Sequence, residues 1–558
     1  MLWRLDLVEK VKAKLLNKTN DVRVGKKPWL LFLLSLVIVA FAQPSKIFFL
    51  CPIASICGYG IFWHVMRSFS KKRAFLLSFS WFFLVQMSWQ SWLCSTKYQG
   101  IAMVLVYIFI CAFFAVQFSL VSLILWKKQL SWKNILLAPA VWTLMEMSRV
   151  FILTGYLWGP VGLSLSALPL SLQWASIGGV YFLSFWVMLC NALFCTAVET
   201  KKHLMHLLTL CFIPYLFGFC HETIQKKRDC EKDFSALLIQ TGLLPEEKYS
   251  LSDFPRQFIR PLDQWKMIFH SIQKEVKENI DLIVLPEAAL PYSSFLTFYS
   301  LEDLKNLWRT CFEEELYFPS LLCKPFAEYE YGRWVVSNAY INQALSIKFH
   351  CGVICGLDHH EEGLNYNSAF LFANEKVPNR YDKQILVPLG EYIPFSFLNP
   401  IAAQFGILSF FSEGKSSKPF IEKFPIGVSI CLEEIYPELM RESRRNGASL
   451  FVNISNDGWF PNSTLPKQHF DHGILRAVEN GVFLFRAGNT GVTGVVDPFG
   501  RIVKTFKENK QDGEKTKGSL FIKVPFHHHN TLYTFWGDNL IFGISFLICL
   551  LFLRRTFA

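Results

Sequence analysis

The stretch PIGVSICLEEIYPE, Pro425–Glu438, ends an apolar run abruptly on a cysteine, and two carboxylates, Glu433 and Glu434, follow almost at once. A short run rich in Val and Ile, bounded by proline, predicts a buried strand. A polar residue at its end then falls on the following loop, where functional side chains collect. The same shape recurs in DLIVLPE (Asp281–Glu287), which closes on Glu287, and Lys383 sits in NRYDKQILVPLGEYIPF (Asn379–Phe395). Further short apolar runs are FSALLIQ (Phe234–Gln240), FHCGVICGL (Phe349–Leu357), SAFLFA (Ser368–Ala373), ASLFVNIS (Ala448–Ser455) and GVFLFRAG (Gly481–Gly488). Charged segments with helical patterning, Gln264–Glu278 and Tyr436–Asn446, lie between them. Strands alternating with helices predict an α/β domain whose helices cover its sheets.

That domain is only part of the chain. Of 558 residues 52% are hydrophobic and 16% aromatic, the composition of a membrane protein. Eight runs are candidate membrane spans: Trp29–Gln43, Ile47–Met66, Ala74–Leu93, Ile101–Trp126, Ile135–Met147, Leu172–Val198, His203–Cys220 and Leu532–Leu553. A span needs about 20 apolar residues, so the first and fifth are short, and the fifth is the least well defined. Every second loop is basic: Lys10, Lys12, Lys14, Lys26 and Lys27, then Arg67 and Lys71–Arg73, then Lys127, Lys128 and Lys133, then Lys201 and Lys202. Cytoplasmic loops carry such an excess, which places the N-terminus inside. The first span lacks a cleavage site and reads as a retained anchor. The expected organisation is a basic cytoplasmic N-terminus (1–28), seven membrane helices (29–220), a domain outside the cytoplasm (221–531), an eighth helix (532–553) and a cytoplasmic tail (554–558). Lys226, Lys227 and Arg228 breach the charge rule, which long translocated domains tolerate.

The net charge of +12 is spread in clusters between apolar runs and forms no single basic face, which excludes a nucleic-acid partner. The fifteen cysteines lack paired zinc spacing. Nine lie in or beside apolar runs. Cys230, Cys311, Cys323, Cys351, Cys355 and Cys431 lie in the polar half, and whether any of them pair stays open.

A carboxylate, an ammonium and a thiol together can run acyl transfer: the carboxylate takes the thiol proton, the thiolate attacks a carbonyl, and the ammonium stabilises the developing charge. Taken singly, each has a plain alternative: a solvated glutamate, a surface lysine, a buried cysteine. Their order and context decide. LPE, then YDK-x-x-LVP-x-GEYIP, then a strand ending in Cys-x-Glu resembles the carbon–nitrogen hydrolase (nitrilase) superfamily. With seven spans before and one after, the whole chain is similar to the apolipoprotein N-acyltransferase family of Gram-negative bacteria. VWTLMEMSR (Val141–Arg149) with TGYLW (Thr154–Trp158), SNDGWF (Ser455–Phe460), QHFDHGILRAVENG (Gln468–Gly481) and NTGVTGVVDPFG (Asn489–Gly500) carry the likeness further.

The resemblance implies an αββα nitrilase-like sandwich on a membrane domain of about eight helices, in the inner membrane with the catalytic domain periplasmic. It implies Glu287 as general base, Lys383 as oxyanion-stabilising cation and Cys431 as nucleophile. Glu391, Glu433, Tyr249, Trp158, Glu146 and Arg149 would support the site or bind substrate. It further implies a phospholipid acyl donor, a diacylglyceryl-cysteine apolipoprotein acceptor, and no cofactor or metal. Three departures stand out: Leu432 replaces a frequent Tyr, Tyr249 stands where a Trp is expected, and the segment between Tyr292 and Phe349 is longer than the pattern. Glu146 and Arg149, three apart at the end of a span, read either as a buried group with a substrate or structural role or as a membrane-surface salt bridge.

Other motifs are weaker. In GVSIC the cysteine occupies the place of the second Gly of a serine-hydrolase elbow, so Ser429 reads as a strand residue. GKSS (Gly414–Ser417) lacks the earlier Gly of a phosphate loop, and His527–His529 lacks helical ligand spacing. Two rival functions remain: a membrane-tethered amidase that releases acid by hydrolysis, and a transporter or binding protein in which Cys431 is silent.

Overall fold

The computed structural model describes residues 26–44, 46–127, 129–197, 201–226, 232–250, 257–276, 278–373, 377–394, 410–506 and 516–557. Most of the expected basic N-terminus, together with Lys227, Arg228 and Cys230, lies outside them.

All eight apolar runs are helical. Seven precede the soluble half: α1 (Lys26–Phe41), α2 (Phe48–Met66), α3 (Lys71–Trp89), α4 (Ala102–Ile124), α5 (Trp132–Ser148), α6 (Ala175–Ala197) and α7 (Lys201–Gln225). Four described segments, in α2, α4, α6 and α7, are long and apolar enough to cross a bilayer, while Pro28–Phe41 and Asn539–Phe552 are shorter apolar helices. Inside the bundle Phe118 stacks on Phe82 at 4.4 Å and on Trp63 at 5.8 Å. Apolar surface gives little drive between helices in lipid, so polar bonds matter there. Trp63 Nε1 donates to Ser122 Oγ, Trp81 Nε1 to Ser35 Oγ, and Asn191 Nδ2 to the carbonyls of Ala54 and Ser55.

Two expected spans are corrected. The run Leu172–Val198 is not one helix: its backbone breaks at Gly178 and Gly179, the latter at φ +69°, where a Cβ would lie 2.3 Å from the Tyr533 ring. The run Leu532–Leu553 also divides. Leu532–Trp536 is a separate short helix ending at Gly537 (φ +59°), and the long helix starts only at Asn539. Glycine permits both breaks because it lacks the Cβ that forbids positive φ.

Among the described residues the soluble half holds fifteen strands: β1 (Lys232–Gln240), β2 (Leu282–Val284), β3 (Tyr299–Ser300), β4 (Ala327–Glu330), β5 (Arg333–Val336), β6 (Gly352–Glu361), β7 (Leu364–Phe372), β8 (Asn379–Asp382), β9 (Phe420–Ile421), β10 (Pro425–Ile430), β11 (Leu450–Ser455), β12 (Phe483–Gly488), β13 (Gly494–Val496), β14 (Ile502–Thr505) and β15 (Gly518–Phe526). They form two six-stranded sheets, ordered β15-β1-β2-β6-β7-β8 and β14-β13-β12-β11-β10-β9. The centres, β1-β2-β6 and β10-β11-β12, are parallel, which suits strands apolar on both faces. Phe234, Leu238, Val284 and Ile354 of one sheet pack against Val452 and Phe485 of the other. Helices α8 (Pro261–Glu275), α9 (Leu301–Phe312) and α10 (Asn338–Phe349) cover the first sheet's outer face through Trp265, Phe269 and Trp308. Helices α11 (Pro437–Arg445) and α12 (Leu465–Asn480) cover the second, giving the expected αββα sandwich. The long segment after Tyr292 supplies α9, α10 and a small sheet β3-β5-β4. Helix α13 (Asn539–Phe557) returns to the bundle.

The second sheet's helices face the membrane half. Ile474 and Val478 of α12 share one apolar cluster with Leu172, Val180 and Leu183. Polar bonds cross the same seam: Trp158 Nε1 donates to Gln468 Oε1 (2.8 Å), Gln173 Nε2 to the Phe499 carbonyl (2.8 Å), Tyr436 Oη to the Gly155 carbonyl (2.8 Å) and Trp536 Nε1 to the Ile177 carbonyl (2.7 Å). Glu479 Oε1 accepts the Val180 amide at 2.8 Å, capping the helical segment that restarts after the glycine break, and pairs through its carboxylate with buried Arg476. Glu479→Ala orphans both partners. Breaking a buried pair costs about 3–5 kcal/mol, so the thermal midpoint of the detergent-solubilised protein should fall clearly, and an unchanged midpoint would remove the cap from its structural role.

Candidate active site

Three strand ends converge. Glu287 follows β2 by three residues, Lys383 follows β8 directly, and Cys431 follows β10 directly. Strand β6 lies between β2 and β7, and Gly356 clears the way: a Cβ there would lie 2.6 Å from the Glu287 Cα and from the Pro286 carbonyl oxygen. The turn carrying Glu287 therefore folds across β6 toward β7, with Ala288 at φ +41°.

Lys383, 1% exposed, places its Nζ 3.1 Å from Glu287 Oε1 and 2.8 Å from Glu391 Oε1. Asn367 of β7 donates its Nδ2 to the same two oxygens at 2.8 and 2.9 Å. Glu391 Oε2 also accepts the Val387 amide (2.8 Å). Burial opposes the charge on Lys383, but Glu287, Glu391 and the Cys431 sulfur overcome it and raise its pKa well above the ordinary lysine range. The neighbouring carboxylates favour its charged form.

Cys431 is half-buried and left-handed, at φ +51°, a conformation that costs a non-glycine residue of order 1–3 kcal/mol. Its carbonyl is held by Asn453 Nδ2 at 3.2 Å and His469 Nε2 at 3.1 Å. That oxygen can only accept, so His469 donates to it through Nε2–H, while its Nδ1 lies 3.0 Å from Asp457 Oδ1 and 2.8 Å from Arg486 Nη2. Arg486 is fixed in turn by Asp457 (3.1 Å) and Glu434 (2.9 Å). Burial, then Glu287, raises the Cys431 thiol well above its usual range, and Lys383 and the Asn456 amide pull against them.

Glu433 ties the loop of Cys431 to the loop of Lys383. Its Oε1 accepts the Gln384 and Ile385 amides (2.6 and 3.2 Å), and its Oε2 accepts the Ile430 amide (2.7 Å) and the Tyr381 hydroxyl (2.9 Å). Burial pushes its carboxyl up to about 7 against those donors. Tyr249 is half-buried beside Lys248, whose Nζ donates to the Ala288 carbonyl (2.6 Å) in the Glu287 turn. Burial takes Lys248 down to about 7, with Glu287 and Asp358 opposing. Trp158 is buried against Trp92 and His469, one contact away from the Cys431 carbonyl.

Glu146 and Arg149 behave otherwise than as a surface pair. Both are buried and they face different partners: Glu146 Oε1 accepts the Val161 amide (2.9 Å), while Arg149 donates Nε to Gln117 (3.1 Å) and lies 4.1 Å over the Phe114 ring. Neither touches the Glu287–Lys383 cluster. Ser429 is a strand residue bonded to Asn453, as expected. Cys311, Cys323, Cys351 and Cys355 are unpaired. Sequence reading missed Asn367, Lys248 and His469. Asn367 sits inside a strand and carries no motif, whereas QH at Gln468–His469 was visible but unassigned.

Comparison with known proteins agrees with this division of the chain. Residues 34–193 match the family described as apolipoprotein N-acyltransferase N-terminal domain, and residues 259–516 match carbon-nitrogen hydrolase. An apolipoprotein N-acyltransferase of Chlamydia pneumoniae is 30% identical over 541 residues, covering 92% of this chain and 95% of its own. One from Chlamydia trachomatis serovar D is 30% identical over 528 residues, covering 91% and 93%.

The Glu433 geometry makes a sharp prediction. Both oxygens receive donors, so the amide nitrogen of Glu433→Gln must face a backbone N–H. The isosteric variant should be nearly as damaging as Glu433→Ala, with acyltransferase activity down about 10–10²-fold, the kinetic equivalent of about 1–3 kcal/mol for an unsatisfied buried donor. A Gln variant of wild-type rate would show that the carboxylate does not hold the two loops together.

Proposed function

The chain belongs to the apolipoprotein N-acyltransferase family, and from that premise we propose that it moves a fatty acyl chain from a membrane phospholipid, through a thioester on Cys431, to the α-amino group of an S-diacylglyceryl-cysteine at a lipoprotein N-terminus. Glu287 takes the Cys431 proton and the thiolate attacks the ester carbonyl. Lys383 faces the oxyanion, and the proton passes from Glu287 to the departing lysophospholipid alcohol. The acceptor amine then attacks the thioester, Glu287 receives its proton, and the thiolate is reprotonated as it leaves.

The observation that carries this reading over a soluble amidase is the packing of the nucleophile's loop. Leu432, Ile435 and Tyr436 share one apolar cluster with Trp92, Tyr107 and Trp158 of the membrane half. The loop after Cys431 thus continues the apolar surface of the membrane helices, where acyl chains lie, and a lipid-lined site limits loss of the thioester to water. Leu432, in place of a tyrosine, adds to that apolar lining. We place the protein in the inner membrane of a Gram-negative cell with residues 221–531 in the periplasm, a topology supported by the basic alternate loops.

Three measurements test the proposal. After incubation with phospholipid, intact-protein mass spectrometry should find one hydroxylamine-labile acyl group, absent from Cys431→Ala and retained in Cys351→Ala and Cys355→Ala. Glu287→Gln should slow acyl-enzyme formation about 10²–10⁴-fold. Alkaline pH should partly restore it, because a thiol then ionises unaided, whereas Lys383→Met should lose about 10²–10³-fold without such rescue. A Cys431→Ala protein that still acylates a lipopeptide would sink the nucleophile assignment. For topology, Tyr331 is 99% exposed on the β4–β5 turn, so Tyr331→Cys should react with a membrane-impermeant thiol reagent in intact spheroplasts. Labelling only after lysis would put the domain in the cytoplasm.

A further inference from the structure

The reaction just proposed needs a second proton acceptor. A lipoprotein's α-amino group is largely protonated near neutral pH, with an ordinary pKa of about 7.7–8.0, and an ammonium has no lone pair with which to attack a thioester. Glu287 can take only one of the two protons that the nitrogen must lose.

A seat for that ammonium is visible beside the Glu287–Lys383 cluster. Asn367, 4% exposed, points Nδ2 at Glu287 and Glu391, which as carboxylates only accept, and this fixes the orientation of the amide. Its Oδ1 is buried without a hydrogen-bond partner. Such an orphaned acceptor is costly unless something donates to it. Asp358 of β6 is the direct cross-strand partner of Asn367 in the antiparallel β6–β7 pair, so the two side chains stand on the same face, with Cβ atoms about 4.5–5.5 Å apart. Gly356, two residues earlier on that face, is where the Glu287 turn crosses the strand. Asp358 is half-buried, and its carboxylate has no hydrogen-bond donor or ion pair among the described residues. An unused carboxylate and an unused amide oxygen thus lie side by side next to the general base.

We propose that Asp358 and the Asn367 side-chain oxygen bind the acceptor's α-ammonium and that Asp358 takes its first proton. The inference rests on the thioester reading above. The N–H bond breaks toward the Asp358 carboxylate, leaving a neutral amine that attacks the thioester carbon. As the C–N bond forms and the C–S bond breaks, the second proton goes to Glu287 and then to the Cys431 thiolate. Asp358 releases its proton to water. Ammonium plus thioester therefore give amide, thiol and one proton.

The charges facing Asp358 suit the role. Burial raises its carboxyl to about 6, Lys248 on the loop after β1 opposes that rise, and Glu287 and Glu391 add to it. A carboxylate near 6 accepts a proton from an α-ammonium far more readily than one near about 3.9.

The test separates the half-reactions in full-length protein. Enzyme preloaded with acyl groups is mixed with a diacylglyceryl-cysteine lipopeptide, and thioester decay is followed against pH. Asp358→Asn should slow aminolysis about 10²–10⁴-fold at neutral pH, the usual worth of a positioned acid–base group, while lysophospholipid release in the first half-reaction changes less than tenfold. Raising the pH above the amine's own pKa should restore the variant toward wild type. Hydroxylamine, already unprotonated at neutral pH, should discharge the variant's thioester at the wild-type rate, which shows the site to be folded. Unchanged aminolysis, an equal loss in both half-reactions, a hydroxylamine rate that falls with the lipopeptide rate, or a defect that alkaline pH does not relieve would each overturn the assignment. A wild-type enzyme that never forms a thioester would instead overturn the reaction on which the assignment stands.

Discussion

One buried ammonium organises the catalytic half. Lys383 sits between Glu287 and Glu391 with almost no access to water, so removing either carboxylate leaves the cation a single counter-charge, and removing the cation sets two carboxylates against each other. Asn367 completes the cluster by donating to both acids at once. Two backbone features and one side chain bring these groups together: the Glu287 turn laid over Gly356, the end of β8, and the Glu433 carboxylate that gathers the amides after Lys383 and before Cys431 into one knot. Cys431 is therefore placed by the same contacts that keep the cation buried.

Much of this was legible in the chain. Short apolar runs ending in Glu287 and Cys431 gave strands in the expected places because a strand buried on both faces needs an unbroken apolar stretch, and its first polar residue marks where it surfaces. Asn367 and Asp358 were not legible. Both lie within strands, on a face that only becomes polar because Glu287 folds across it, and no local pattern encodes that crossing. Glu391 and Glu433 were found by resemblance, but hydrogen-bond geometry was needed to see that the first shares Lys383 while the second is held almost wholly by backbone donors.

Hydropathy located the membrane helices but not their interruptions. A window average over Leu172–Val198 or Leu532–Leu553 stays apolar whether or not the backbone turns, since glycine hardly alters the average. It also could not say that Glu146 and Arg149 point to separate partners. The first depends on what a distant part of the chain presents, the Tyr533 ring against Gly179, and the second on partners inside the bundle, the Val161 amide for Glu146 and Gln117 for Arg149.

The Glu479 cap on Val180 has a consequence in time. The two residues lie 299 positions apart, so at about 5–20 residues per second the ribosome adds the cap roughly 15–60 s after the membrane helix it completes. Throughout that interval the Val180 amide sits at a broken helix in or near lipid without its acceptor, the situation a bilayer penalises most. The bundle laid down first is therefore an unfinished object that waits for the C-terminal domain to be made, folded and docked. A chain truncated before residue 479 would leave that helix open, and cellular quality control would meet it as a membrane defect and not as a lost enzyme.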